Sequence, residues 1–186
     1  MNQEPRLIYI SGRGGDANKG LGAYLKKLDP NRIGLSVNES FLQLSFYGQV
    51  SVVRQLLDEF DGENTKVIAN SYGAYLLLHA LIDAPSYQFR GLLLSPAIGG
   101  VLNSNSLAYA RQPSTNRFDE ALIDRAFTKP RYLALYIGDL DVGYDFARFS
   151  DLNESMELDL LEVIPGQGHM IDRDVVKTTL KTFFNI

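Results

Sequence analysis

The sequence predicts an α/β fold built on a parallel sheet. Three observations carry this. Short apolar runs alternate along the chain with longer segments of helical periodicity, the order that generates strand–helix–strand units. Most of those runs are near-continuous in apolar residues rather than alternating, as strands covered on both faces require. A glycine-rich turn, "ISGRGGDANKG" over residues 10–20, joins the first apolar run to the first helical segment.

Six runs are expected as strands: 6–11, 32–37, 66–70, 91–95, 131–138 and 157–165. Between them lie the helices. The segment 20–28 follows the glycine-rich turn. Over 49–60, Val52, Val53, Leu56, Leu57 and Phe60 share one face, and "DGEN" stops the helix. The segment 72–83 is apolar nearly all round and is therefore expected to be buried, with Pro85 marking its end. Asp172 is placed to cap a last helix whose face is Val175, Val176, Leu180, Phe183 and Phe184. One interval breaks the rhythm. Residues 97–129 are too long for a simple connection, and only "FDEALIDRAF" (118–127) has a helical pattern, so the excursion is expected as a small lid or an irregular connection.

Composition narrows the function. At 186 residues the chain is expected to form one domain with a sizeable core. Its apolar content of 45% excludes a disordered chain, and its net charge of -4 gives no reason to expect nucleic acid or an anionic membrane as partner. The absence of cysteine excludes thiolate chemistry and disulfides. "MNQEPRLIYI" has no signal-peptide pattern, and no apolar run reaches the length of a bilayer span, so a soluble, cytoplasmic protein is expected.

Two readings of the glycine-rich turn compete. Gly12, Gly14 and Ala17 fit the G-x-G-x-x-A spacing of a dinucleotide loop, with Glu39 near the position of its ribose-binding acid. The alternative is an oxyanion loop of a serine hydrolase. The second gains weight from "ANSYG" (69–73), which falls where the run 66–70 meets the helix at 72. A serine at a sharp strand-to-helix turn is lifted above the sheet, and the next N–H faces a developing oxyanion. Such a turn needs small residues two positions before and after the serine, and Ala69 and Gly73 flank Ser71.

These residues resemble the α/β-hydrolase superfamily over nearly the whole chain, with Ala69 in place of the first glycine of G-x-S-x-G. "GDLDVGYD" (138–145) is similar to the family's acid loop, which assigns the acid to Asp141, with Asp139 the competitor. "IPGQGHMID" (164–172) is similar to its histidine loop, which assigns the base to His169. The resemblance implies a three-layer fold without the family's first two strands, and strand order 2-1-3-4-5-6. It also implies a Ser71–Asp141–His169 triad with oxyanion donors at the N–H groups of Arg13 and Tyr72, Gly14 being the alternative to Arg13. The implied activity is hydrolysis of a small ester or thioester through an acyl-serine, with no metal or cofactor. The alternative is an inactive relative that binds a small molecule or a protein. His79, on the apolar helix, is expected to be a satisfied core residue, and Tyr9, Tyr47, Tyr72, Tyr75 and Tyr109 include candidate pocket walls.

Overall fold

Alternate residues of a strand face opposite sides of a sheet, and along the four central strands both sides are mostly buried. In the computed structural model, which describes residues 6–98 and 112–184, the chain order is β1 (Leu7–Ile10), α1 (Gly20–Leu28), β2 (Ile33–Leu35), α2 (Glu39–Leu42), α3 (Phe46–Phe60), β3 (Lys66–Asn70), α4 (Tyr72–Ala80), β4 (Arg90–Leu94), α5 (Thr115–Ile123), β5 (Tyr132–Gly138), α6 (Phe146–Met156), β6 (Leu160–Ile164) and α7 (Arg173–Phe184). All strand pairs are parallel, in the order β2-β1-β3-β4-β5-β6 that the resemblance implies.

The helices form the two outer layers. Leu25 of α1 and Leu180 and Phe183 of α7 pack on Tyr9, Ile68 and Leu92. On the opposite face, Val53 and Leu57 of α3, Leu76 of α4, Phe118 of α5 and Leu152 of α6 pack on alternate residues such as Ile8, Val67 and Leu135. α4 is buried along its whole length, as its uniformly apolar sequence requires.

Several boundaries differ from the sequence expectation, each for a local reason. α3 begins a turn early because the Ser45 hydroxyl accepts the N–H of Gly48 and caps it. α4 ends at Ala80, and Ile82 beyond it bridges to Phe127, which also stops α5 short of 127. β6 begins at Leu160 because Glu157, with φ 51, closes α6 by donating its N–H to Asn153 O. α6 itself and the four-residue α2 have no counterpart among the expected helices. Part of the expected lid, residues 99–111 with Tyr109, lies outside the described residues. Among the described residues no helix is long and apolar enough to cross a membrane.

Candidate active site

Parallel strands bring their following loops to one edge of the sheet. The residues after β1, β3, β5 and β6 are Arg13, Ser71, Asp141 and His169, so the order of strands sets these four side by side.

Ser71 sits at the turn from β3 to α4 with φ 52 and ψ -118, a conformation that costs a non-glycine residue on the order of 1–3 kcal/mol. Its surroundings hold it there. Its N–H donates to Leu94 O at 2.9 Å, and its carbonyl accepts the N–H of Tyr75 at 3.1 Å and of Ala97 at 3.3 Å. Two residues on, Gly73 lies so close to β1 that a Cβ would overlap the carbonyl oxygen of Ser11. The turn therefore admits only glycine at that position, in accord with the small-residue demand read from the sequence.

The Ser71 Oγ is 2.9 Å from His169 Nε2, and His169 Nδ1 is 2.9 and 3.2 Å from the two carboxylate oxygens of Asp141. With Nδ1 protonated and donating to the carboxylate, Nε2 is left to accept from the serine, a tautomer assigned from these contacts. Asp141 is buried, and its Oδ1 also accepts the N–H of Gly143 at 2.8 Å. The competing Asp139 does other work. Its Oδ1 accepts the N–H of Gly166 at 2.7 Å and so ties the acid loop to the histidine loop.

That tie has two more strands. Leu140 N–H donates to Gln167 O at 2.9 Å, and Asp139 N–H to Ile164 O at 3.1 Å. Gly138 is pressed against Gln167 so tightly that a Cβ would overlap its carbonyl. Asp172 caps α7 as expected, accepting the N–H of Asp174 at 2.8 Å. The sequence reading named none of Gly138, Gln167 and Gly166 for this purpose. Their use depends on β5 and β6 being neighbours, which no local pattern encodes.

On the other flank, neither the Arg13 N–H nor the Tyr72 N–H has an acceptor among the described residues, whereas the Gly14 N–H donates to Val37 O at 2.7 Å. Gly14 is thus committed elsewhere, and the two open donors are those named from the sequence. The Arg13 guanidinium lies 4.1 Å from the centroid of the Tyr72 ring. The Tyr72 hydroxyl donates to Gln49 Oε1 at 3.0 Å; burial raises its pKa, and Arg13 partly opposes that. The Ser11 Oγ accepts the N–H of Val37 at 2.9 Å.

No family model matches this chain, and no curated protein matches it in sequence. Solved structures do match. The ydeN gene product from B. subtilis superposes with a TM-score of 0.63 at 18% identity, over 98% of this chain and 100% of that one. A Paleococcus ferrophilus monoacylglycerol lipase gives 0.68 at 12% identity over 96% and 91%, and esterase PE8 gives 0.62 at 16% over 97% and 92%. This chain has the α/β-hydrolase fold.

His79 is a core residue, but it is not satisfied: its Nε2 is buried without a partner among the described residues, between the rings of Phe46, Tyr75 and Phe118. Tyr9 and Tyr75 are core, and Tyr47 is exposed. The dinucleotide reading loses its loop, because Gly14 is bound to the backbone after β2 and Glu39 opens the short α2. A cavity of about 460 Å³ has His169 in its wall; Tyr24, Ser95 and Asn70 also line it, and none of these had a signal in the sequence.

Proposed function

We propose that this protein is a serine hydrolase that cleaves a small ester or thioester through an acyl-serine intermediate. The observation that carries the reading is the unbroken contact from Ser71 Oγ through His169 to the buried Asp141 carboxylate, at a strained strand-to-helix turn. The fold shared with an esterase and a lipase supports it.

The chemistry follows from the placement of each group. Ser71 Oγ attacks the carbonyl carbon while its proton passes to His169 Nε2. The carbonyl π bond opens to an oxyanion, which accepts from the N–H groups of Arg13 and Tyr72. The carbonyl re-forms, the bond to the leaving oxygen or sulfur breaks, and that atom takes the proton from Nε2. Water then attacks the acyl-serine by the same route and releases the acid and the free serine. Asp141 keeps the imidazole in one tautomer and stabilises its charged form throughout.

Hydrolysis of a short 4-nitrophenyl ester tests this. The wild type is expected to show saturable turnover that Ser71→Ala abolishes, because the hydroxyl that stands against His169 Nε2 is that of Ser71. Folded Ser71→Ala with turnover equal to the wild type contradicts it.

A further inference from the structure

The cavity beside His169 lies between α1 and α7, with Leu94 of β4 in its wall. Leu21 and Tyr24 of α1 and Ile171 and Val176 around α7 make it largely apolar. Its charges are all of one sign. Lys27, Arg173 and Lys177 line it and no Asp or Glu does, in a chain with 22 acidic and 18 basic residues. Lys177 pairs with Asp174 at 2.8 Å, and Asp174 points to solvent; Lys27 and Arg173 form no ion pair among the described residues.

Helix geometry gives the cavity a length. Both helices run from the carboxyl edge of the sheet, where His169 sits, towards the opposite edge. Gly20 and Lys27 both line the cavity, and seven residues of helix span about 10 Å. At the sheet end stands Ser95, with φ 45 and a buried Oγ that has no partner among the described residues. An apolar channel thus leads from a histidine and an unused hydroxyl towards Lys27, about two turns along α1, and Lys177, about one turn along α7, while Arg173 opens α7 at the His169 end.

Resting on the hydrolase reading, we propose that this cavity holds the leaving-group arm of the substrate, and that the arm is an apolar alcohol or thiol ending in an anion. His169 Nε2 hands its proton to the leaving atom, so the arm that passes His169 is the one attached to that atom. Neither proposed oxyanion donor, Arg13 nor Tyr72, lines the cavity. The arm's apolar stretch covers Leu21, Tyr24 and Val176, Ser95 Oγ meets a polar atom near the leaving group, and Lys27 and Lys177 meet the anion, Lys177 exchanging its exposed partner Asp174 for it. A carboxylate and a phosphate monoester present the same charge to these groups, and substrates distinguish them.

The test compares butyryl thioesters of mercaptohexanol, mercaptohexanoic acid and mercaptohexyl phosphate, read by thiol release. At low salt at least one anionic thioester is expected to exceed the neutral one in kcat/KM by roughly tenfold, mainly through KM, with the ratio falling as salt screens the exposed cations. The better of the two names the anion. The Lys27→Gln/Lys177→Gln variant should bring the ratio to about one, and Lys27→Arg/Lys177→Arg should keep it. A wild-type ratio near one, or a ratio unchanged in the glutamine variant, overturns the assignment and leaves the hydrolase reading standing. If no thioester turns over, binding of octanoate and octanol to the full chain by calorimetry decides. Tighter octanoate binding that is lost in the glutamine variant upholds the anion site while the hydrolase reading fails; equal binding, or none, overturns the anion site too.

Discussion

The protein's two histidines lie in regions that treat the same side chain in opposite ways. His169 stands on a loop at the sheet's carboxyl edge, with a hydroxyl on one ring nitrogen and a carboxylate on the other. His79 stands in the core at the far end of α4, walled by aromatic rings, with Nε2 lacking a partner. Burial, helped by Arg117, pushes its pKa down to about 4. The first region spends backbone strain and two close-packed glycines on orienting an imidazole. The second only tolerates one. What separates the two histidines here is what meets their ring nitrogens, and for His169 loops tied across neighbouring strands supply that.

The largest expected effects break the His169 region. Ser71→Ala and His169→Ala should each lower kcat by about 10⁶-fold in a folded protein, and together by little more, because the groups act as a unit. Steady-state assays of the two single variants and the double variant check this. Asp141→Asn keeps the shape but favours the wrong tautomer, with an expected loss of about 10⁴-fold. Asp139→Asn should cost far less, since that residue holds a loop; a loss as large as that of Asp141→Asn would reverse the two assignments.

A smaller effect reports on the scaffold. Gly138→Ala forces the acid and histidine loops apart and should destabilise the fold by about 1–3 kcal/mol. Urea unfolding measures the stability loss, and a fall in kcat beyond it reports the displaced Asp141–His169 contact.

The smallest effect belongs to His79. Its folded pKa lies below its ordinary value of 6.5, so between about 4 and 6.5 the unfolded chain binds a proton that the folded chain does not. The stability from keeping it neutral is complete above about 6.5, falls as pH drops through that window, and levels off below about 4. Arg54 and Arg117, which line the small cavity beside His79, add no acid that would reverse the direction. His79→Leu should remove up to about 3 kcal/mol of the acid-side decline. Urea midpoints of both proteins at pH 7 and 4.5 check it, and equal slopes would contradict it.

The strands and the serine turn were legible because their signals are local. A continuous apolar run requires cover on both faces, and a tight turn requires small residues beside Ser71. α6 was not legible. Only Phe149, Leu152 and Met156 are buried on it, and its Asp, Asn and Ser residues are weak helix formers. α2 is too short to show a period. Asp141 and His169 were assigned from the resemblance of their loops, whereas the separate contacts of Asp139 and Asp141 depend on the β5–β6 pairing. The cationic cavity depends on α1 and α7, helices far apart in the sequence, packing on the same face of the sheet.

The central claim is that Ser71 is an activated nucleophile. The direct measurement is intact mass after incubation with a fluorophosphonate. One adduct on the wild type, absent from folded Ser71→Ala and strongly slowed in His169→Ala, is the predicted result. No adduct on folded wild type, or an adduct that survives Ser71→Ala, would contradict it.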